Sequence, residues 1–270
     1  MDYNLLTQET GFHEWSKFEP GDTDYTKYGE NNPSIIAAAH KIVDVYYGFA
    51  NACHDFSSVS YKDYGDLITD TTYGRLHVKT HFLLNAILEY SICLDLSWQV
   101  IWAYVQPSSF EYLAKNKYKE MEKECDRDNL LAQLDCLISQ NKNLDSPEKV
   151  KIENLKKAMT DFDKNENTMK LRSLYNSIKH RGTIHFIGFG NNDKTMKTKL
   201  DNRGISILSR EEYTIEEIEN ILFTYHKNFQ SYMDKLIAEI IPDDYMNKKV
   251  KIIDYANTII KMDAIQNSGK

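Results

Sequence analysis

The chain has 270 residues, and its formal net charge of −7 reflects 33 Lys and Arg against 40 Asp and Glu. This excess of acid excludes a wholly basic nucleic-acid binder of the histone kind. With 41% hydrophobic residues, 11 Gly and 5 Pro, the composition is typical of a folded globular protein and excludes a chain that is fibrous or disordered throughout.

The start of the chain is acidic and rich in aromatic residues. Residues 1–32 mix Gly, Pro, Asp and Asn with Phe, Trp and Tyr, without a clear period. We predict an irregular arm over residues 1–32, anchored by its aromatic side chains, and a helical bundle over residues 33–270. The arm lacks the basic start and apolar run of a signal peptide.

Apolar residues recur at helical spacing from Pro33 onward, and the fixed φ of this proline suits a first helical turn. The second predicted helix is apolar nearly all round, which is typical of the central helix of a bundle. Its most apolar stretch, residues 82–105, still contains Glu89 and Asp95, so we expect a core helix and no membrane partner. The predicted helices cover residues 33–56, 71–105, 108–140 and 147–181, the last with a bend near 161–167.

The pattern of apolar residues changes from helical spacing to that of β-strands after Gly182. Two runs of β-branched and aromatic residues flank a polar loop, which predicts a β-hairpin with a long tip. Thr214 followed three residues later by Glu217 forms a capping box, which predicts the start of another helix. The two strands are expected at 183–190 and 204–208, and the two closing helices at 214–241 and 244–263. The predicted fold is all-α, a helical bundle with a β-hairpin, at about 183–212, inserted before the last long helix.

The cysteine pattern indicates a reducing cellular compartment. Cys53, Cys93, Cys125 and Cys136 include no C-x-x-C pair, and a chain of this length needs no disulfide framework. We therefore expect reduced thiols and a cytoplasmic protein.

One segment of this acidic chain is basic. Residues 169–203 hold eight Lys or Arg and two Asp, a local net charge of +6. We expect Lys179, Lys194, Lys197 and Lys199 to contact an RNA backbone. The alternative for the lysines at 194–199 is a solvated loop tip.

A polar stripe follows the predicted helix that leads into this segment. Residues 172, 176 and 180 advance by only about 40° each around a helix, so Arg172, Asn176 and His180 lie in one row. We expect Asn176 and His180 to share an exposed face that lines a cleft. His180 is at the helix C-terminus, where the helix dipole favours a protonated imidazole. The alternative interpretation of His180 is dipole complementation without further function.

The run Asn176-Ser-Ile-Lys-His-Arg-Gly182 resembles the N-x-x-K-H-R-G ending found in many members of the HEPN superfamily. These proteins are α-helical bundles in which an R-x(4–6)-H motif marks a metal-independent RNase site. The order of a long apolar helix, a motif helix, a hairpin and a capped closing helix is also similar. The resemblance covers residues 33–241 in outline and residues 172–182 residue by residue.

The sequence departs from the family motif at the arginine. An arginine four to six residues before His180 would stand at 173, 174 or 175, where this chain has Ser173, Leu174 and Tyr175. Arg172 is one residue too far from His180, and Arg181 is the other candidate for a phosphate contact. The catalytic arginine is therefore displaced, replaced or absent.

The resemblance implies that RNA is cleaved by its own 2′-hydroxyl in a site shared by the two copies of a homodimer. It assigns His180 as the general acid and base, Arg172 or Arg181 as the phosphate ligand and Asn176 as the residue that orients them. It implies a toxin or phage-defence RNase with an antitoxin or regulatory partner, and no cofactor. The alternatives are a non-catalytic RNA or nucleotide binder and a structural interaction bundle.

Two further residues are expected to support this site. Tyr175 lies within the motif, and Asp95 is the best candidate for a buried acid that faces the motif helix. The alternative for Asp95 is a carboxylate paired with a core Tyr or Lys.

A second polar stripe crosses the long apolar helix. His77, His81, Asn85 and Glu89 repeat every four residues. Two His at this spacing can bind a metal, but no Glu follows the first His as in a zinc-protease motif. We favour a core hydrogen-bond ladder and expect no metal.

Overall fold

The computed structural model describes residues 10–65, 68, 71–106, 109–140, 146–188, 197–200, 203–206 and 211–268. At 197–200 and 203–206 it describes the backbone alone. The α-helices are α1 (Asp22–Tyr28), α2 (Pro33–Ser58), α3 (Thr72–Val105), α4 (Lys115–Lys123), α5 (Arg127–Gln140), α6 (Pro147–Asp163), α7 (Glu166–His180), α8 (Ile215–Ile240) and α9 (Ile252–Ser268). Two 3-10 helices cover Thr10–Phe18 and Phe110–Leu113.

The all-α fold class with a small hairpin inserted before the last long helix is confirmed. Helices α2 and α3 follow their predicted ranges closely. Helix α8 begins with the predicted capping box, because the backbone N–H of Glu217 donates to Thr214 Oγ1 at 3.1 Å and that of Thr214 donates to Glu217 Oε2 at 2.7 Å. Across the described ranges, no helix combines the length and the apolar character that a membrane span requires.

The chain divides into two compact units. The described part of the first, here called the motif unit, comprises Asn51–Ser91 and Glu166–His226. The second unit comprises 10–50, Ile92–Asn165 and 227–268. Helices α2, α3 and α8 contribute residues to both units. The predicted boundary between an arm and a bundle at residue 33 stays a prediction.

The motif unit contains a buried polar network. Tyr90 Oη lies 2.9 Å from Nδ1 of His226, and Cys53 Sγ lies 3.5 Å from the same nitrogen. Tyr225 Oη donates to the carbonyl of Tyr90 at 3.2 Å. All four side chains are buried, so these hydrogen bonds fix the pairing of α2, α3 and α8 within this unit.

Aromatic rings fill the core of the second unit. Phe229 of α8 stacks on Phe49 with a centroid distance of 5.4 Å, and Phe162 of α6 stacks on Tyr232 at 4.4 Å. Trp15 is also buried there, and its indole N–H donates to Asp234 at 3.0 Å.

The strands differ from the predicted ones. β1 (His185–Phe186) pairs in parallel with β4 (Glu212–Tyr213), while β2 (Lys197–Leu200) and β3 (Arg203–Ser206) form the antiparallel hairpin. The expected first strand over 183–190 was therefore wrong in length and in partner. Gly182 and Gly188 bracket it with φ angles of +121° and +108°, which end the extended conformation on both sides.

The expectation of an irregular arm is also wrong for much of residues 10–28, which form the first 3-10 helix and α1. Phe12, Trp15 and Phe18 are three residues apart, which is the period of a 3-10 helix, and the first two are buried as expected of anchors. Helix α1 begins where the carboxylate of Asp24 accepts the backbone N–H of Gly21 at 2.9 Å.

Three other helix boundaries differ from the predicted ones. The predicted helix over 108–140 is split into a 3-10 turn, α4 and α5, because Asp126 accepts the backbone N–H of Asn129 at 2.8 Å and starts a new helix. The predicted bend near 161–167 is a full break between α6 and α7. The last helix begins at Ile252, because Tyr245 is buried in the preceding turn and donates to the carbonyl of Phe18 at 2.9 Å.

Candidate nucleic-acid interface on helix α7

Helix α7 carries the motif. The residues of this helix explain where it begins and ends and which of its sides is buried. Glu166 pairs with Lys170 one turn later at 2.7 Å, and this contact lowers the pKa of the Glu166 carboxyl. The buried leucines Leu171 and Leu174 lie on its inner side, and Thr168 is buried in its first turn. The helix ends before Gly182, whose positive φ angle suits the residue after a helix C-terminus.

The outward side of α7 holds five of the predicted site residues, which we call the α7 face: Arg172, Tyr175, Asn176, Lys179 and His180. Asn176, Lys179 and His180 are exposed, and Arg172 and Tyr175 are half-buried. On an ideal helix the five positions fall within about 140° of arc. The structure therefore places these residues on one accessible side of one helix.

Tyr175 lies between two cations. The Arg172 guanidinium carbon is 5.3 Å from the centroid of the Tyr175 ring, and the ammonium nitrogen of Lys179 is 5.7 Å from the same centroid. Both distances are within the range of cation–π attraction. Two positive charges and one aromatic ring are thus held together, with Lys179 and His180 in the last helical turn.

Arg172 and His180 are far apart along the helix. Eight residues correspond to about 12 Å of rise, and the guanidinium of Arg172 lies over the ring of Tyr175. Arg181 is exposed just beyond the helix end. Within one chain, Arg181 is thus nearer in sequence to the imidazole than Arg172 is.

A groove opens beside the α7 face, with a volume of about 520 Å³. It belongs wholly to the motif unit and is lined mostly by polar residues of α7 and α8: Asn167, Lys170, Ser173, Leu174, Tyr213, Glu217, Asn220, Ile221 and Thr224. Asn176 and His180 are not among them, although their row was expected to line a cleft. Ser173 borders both the groove and the α7 face. Sequence reasoning missed Tyr213 and Asn220, because only the fold brings β4 and α8 beside α7.

The other predicted site residues are Lys194, Lys197, Lys199 and Asp95, and their place beside the α7 face stays a prediction. Lys194 lies outside the described residues, and Lys197 and Lys199 lie in β2, of which the backbone alone is described. Asp95 is half-buried in the second unit, where its negative charge contributes to the raised pKa of the Cys125 thiol, after burial of that thiol. Its expected role beside the motif helix stays a prediction.

The second polar stripe has a neighbour, Asp55 on α2, that sequence reasoning missed. His81 and Asn85 lie 3.3 Å apart through Nε2 and Nδ2, which is one step of the expected ladder, but this hydrogen bond is exposed, so the expected core position was wrong. Burial raises the pKa of the Glu89 carboxyl, and the charge of Asp55 on α2 raises it further. Within the described ranges, no three His, Cys, Asp or Glu are arranged to hold a metal ion.

Comparisons with known proteins add no relative. No family model, no curated protein and no solved structure matches this chain.

Proposed function

We propose that this chain is an RNA-directed protein of the HEPN kind, whose α7 face binds RNA and carries a metal-independent endoribonuclease site. The observation that carries the proposal is the placement of Tyr175 between Arg172 and Lys179, on the exposed side that also holds His180. Aromatic rings stack with unpaired bases and cations contact phosphates, so this combination suits single-stranded RNA.

The proposed chemistry needs a proton acceptor, a proton donor and a cation. The imidazole of His180 takes the proton of the 2′-hydroxyl, whose oxygen then attacks the adjacent phosphorus. The P–O5′ bond breaks, a 2′,3′-cyclic phosphate forms, and the 5′-oxygen leaves with a proton from an imidazolium. An arginine binds the phosphate oxygens as charge develops on them, and Asn176 orients the reacting groups.

The separation along α7 supports a site that is shared between two copies. An antiparallel pair of α7 helices would place Arg172 of each copy near His180 of the other, since the 12 Å of rise is about the same in both helices. The two imidazoles would then serve as base and acid. Homodimerisation through α7 is therefore part of the proposal.

One observation favours a second candidate, an RNA binder without catalysis. The expected arginine positions hold Ser173, Leu174 and Tyr175, and the guanidinium of Arg172 lies over Tyr175. Such a protein would keep the cation–aromatic surface and lose the turnover. A cytoplasmic location and control by an antitoxin or another regulatory partner belong to either version.

The test is cleavage of single-stranded RNA by the purified chain in EDTA, which excludes metal-dependent contaminants. We expect products with 2′,3′-cyclic phosphate ends, and we expect His180→Ala to abolish them while far-UV circular dichroism stays unchanged. His54→Ala replaces another exposed histidine and serves as the control. RNA binding without cleavage would establish the non-catalytic candidate, and neither binding nor cleavage would leave a structural bundle as the better account.

A further inference from the structure

Helix α9 turns an apolar side to solvent. Four isoleucines are strongly exposed: Ile252 at 85%, Ile253 at 61%, Ile259 at 49% and Ile260 at 67%. The other side of α9 is fixed within the second unit, where Tyr255 donates to Asp22 at 2.9 Å and Lys261 pairs with Glu30. The isoleucines are thus exposed although these two contacts hold α9 to the second unit.

The four isoleucines form one continuous stripe. On an ideal helix they fall within about 120° of arc, with Ala256 at its centre. Folded proteins seldom leave so many large apolar side chains together in water, and a patch of this kind marks an interaction surface. We call Ile252, Ile253, Ala256, Ile259 and Ile260 the α9 stripe.

We propose that the α9 stripe is the interface of a homodimer, in which α9 pairs antiparallel with α9 of a second copy across a two-fold axis at Ala256. In this register, Ile252 of each chain faces Ile260 of the other and Ile253 faces Ile259. The small side chain of Ala256 faces itself and lets the two helices approach closely. A two-fold interface of this kind is self-complementary, as closed dimers require.

Charge at the ends of the stripe supports a second copy as the partner. Lys249 lies three residues before α9 begins, so in the same register it lies at the end of the stripe near Asp263 of the other chain, and the pair occurs twice by symmetry. Both residues are exposed in the single chain. Asp263 lies within the arc of the stripe, where its carboxylate would oppose insertion into an anionic lipid surface. The charges therefore favour a protein partner with a lysine at that position, which the chain itself supplies.

The α9 stripe shares no residue with the α7 face, because α9 belongs to the second unit and α7 to the motif unit. We therefore expect stripe variants to alter the assembly state and to leave the RNA affinity of each chain as it is.

The test is the mass of the full chain at micromolar concentration, measured by light scattering after gel filtration. We expect the wild type to be at least a dimer. The double variant Ile252→Asp with Ile260→Asp should have half the mass of the wild-type assembly, and the control Asn257→Asp should have the wild-type mass. Asn257 is an exposed α9 residue beside the stripe, and its change also adds one negative charge. Circular dichroism checks that each variant is folded.

A charge reversal tests the register. Lys249→Asp should weaken association at least several-fold, and adding Asp263→Lys in the same chain should restore it. A monomeric wild type, or a mass that the double isoleucine variant leaves unchanged, would overturn the proposal. Failure of the reversal to restore association would overturn the antiparallel register, and flotation of the chain with anionic phosphatidylglycerol vesicles that the isoleucine variants abolish would assign the stripe to lipid instead.

Discussion

At the scale of single residues, Tyr175 gives the α7 face its character. Its ring attracts both Arg172 and Lys179, so two long side chains that would otherwise move independently share one neighbour. Holding them before RNA arrives reduces the conformational entropy that binding must remove. The ring is only half-buried, so it can also contact a base.

Replacing Tyr175 should therefore weaken RNA binding in two ways. It removes the ring itself, and it frees the side chains of Arg172 and Lys179. We expect Tyr175→Leu to lower the affinity for single-stranded RNA by about tenfold, in line with a stacking contribution of about 1–3 kcal/mol per base. Tyr175→Phe keeps the ring and should bind nearly as well as the wild type. Fluorescence anisotropy with a labelled oligonucleotide measures both, and equal losses in the two variants would argue against a role for the ring.

A second residue-scale effect concerns Asp55 and Glu89, which are half-buried in the motif unit. Burial raises the pKa of both carboxyls, and the charge of Asp55 raises that of Glu89 further, although His54 and His81 partly offset the shift at Asp55. A raised pKa in the folded state means that ionisation opposes folding. The favourable contribution of the protonated form is complete below the unfolded pKa of about 4 and is lost as pH rises through the folded pKa.

Removing one of these charges should stabilise the protein at neutral pH. We expect Asp55→Asn to raise the melting temperature at pH 7 and to give a smaller gain near pH 4, where a larger fraction of the wild-type carboxyl is protonated. Differential scanning fluorimetry at the two pH values provides the comparison. A melting temperature that falls at pH 7 would show that the electrostatic attraction between Asp55 and the two histidines outweighs its burial.

At the scale of helices and strands, local signals decided what could be predicted. Pro33, the apolar run of α3 and the Thr214–Glu217 capping box mark helices within a few residues of sequence, and all three helices are present. The pairing of β1 with β4 joins residues that are far apart in the chain, and two-residue strands carry no periodic pattern. The 3-10 helix at Thr10–Phe18 follows a three-residue period that a search for helical spacing misses.

The candidate site divides in the same way. The α7 face follows from spacing within one helix, so its five residues could be placed together from the sequence. The groove residues Tyr213 and Asn220 and the carboxylate of Asp55 reach their neighbours only through packing between elements. The sequence contains no local signal for such contacts.

The buried side of α7 holds the α7 face in position. Leu171 is fully buried, whereas Met169 on the same helix is 54% exposed. We expect Leu171→Ala to lower the free energy of unfolding by about 2–5 kcal/mol because it leaves a cavity, and Met169→Ala to change it by less than about 0.5 kcal/mol. Urea denaturation measures both values. Equal effects of the two substitutions would mean that α7 is not anchored by its buried leucines.

At the scale of the whole molecule, charge is distributed unevenly. A chain with net charge −7 carries a segment of +6 at residues 169–203 and a local charge of −5 over residues 1–30. Phosphates are attracted to the first and repelled by the remainder, so the charge pattern favours one site of RNA contact over adsorption to the whole surface.

The central claim, that the α7 face binds RNA, is tested most directly by the salt dependence of binding. Anisotropy titrations of a single-stranded oligonucleotide at several salt concentrations should give a linear fall of log affinity with log salt. The double variant Arg172→Ala with Lys179→Ala should bind more weakly and show a slope smaller by about 1.4, since each phosphate contact with a single strand contributes about 0.7. Lys235→Ala, which removes an exposed lysine from the second unit, is the control and should match the wild type. A double variant with the affinity and slope of the wild type would contradict the account.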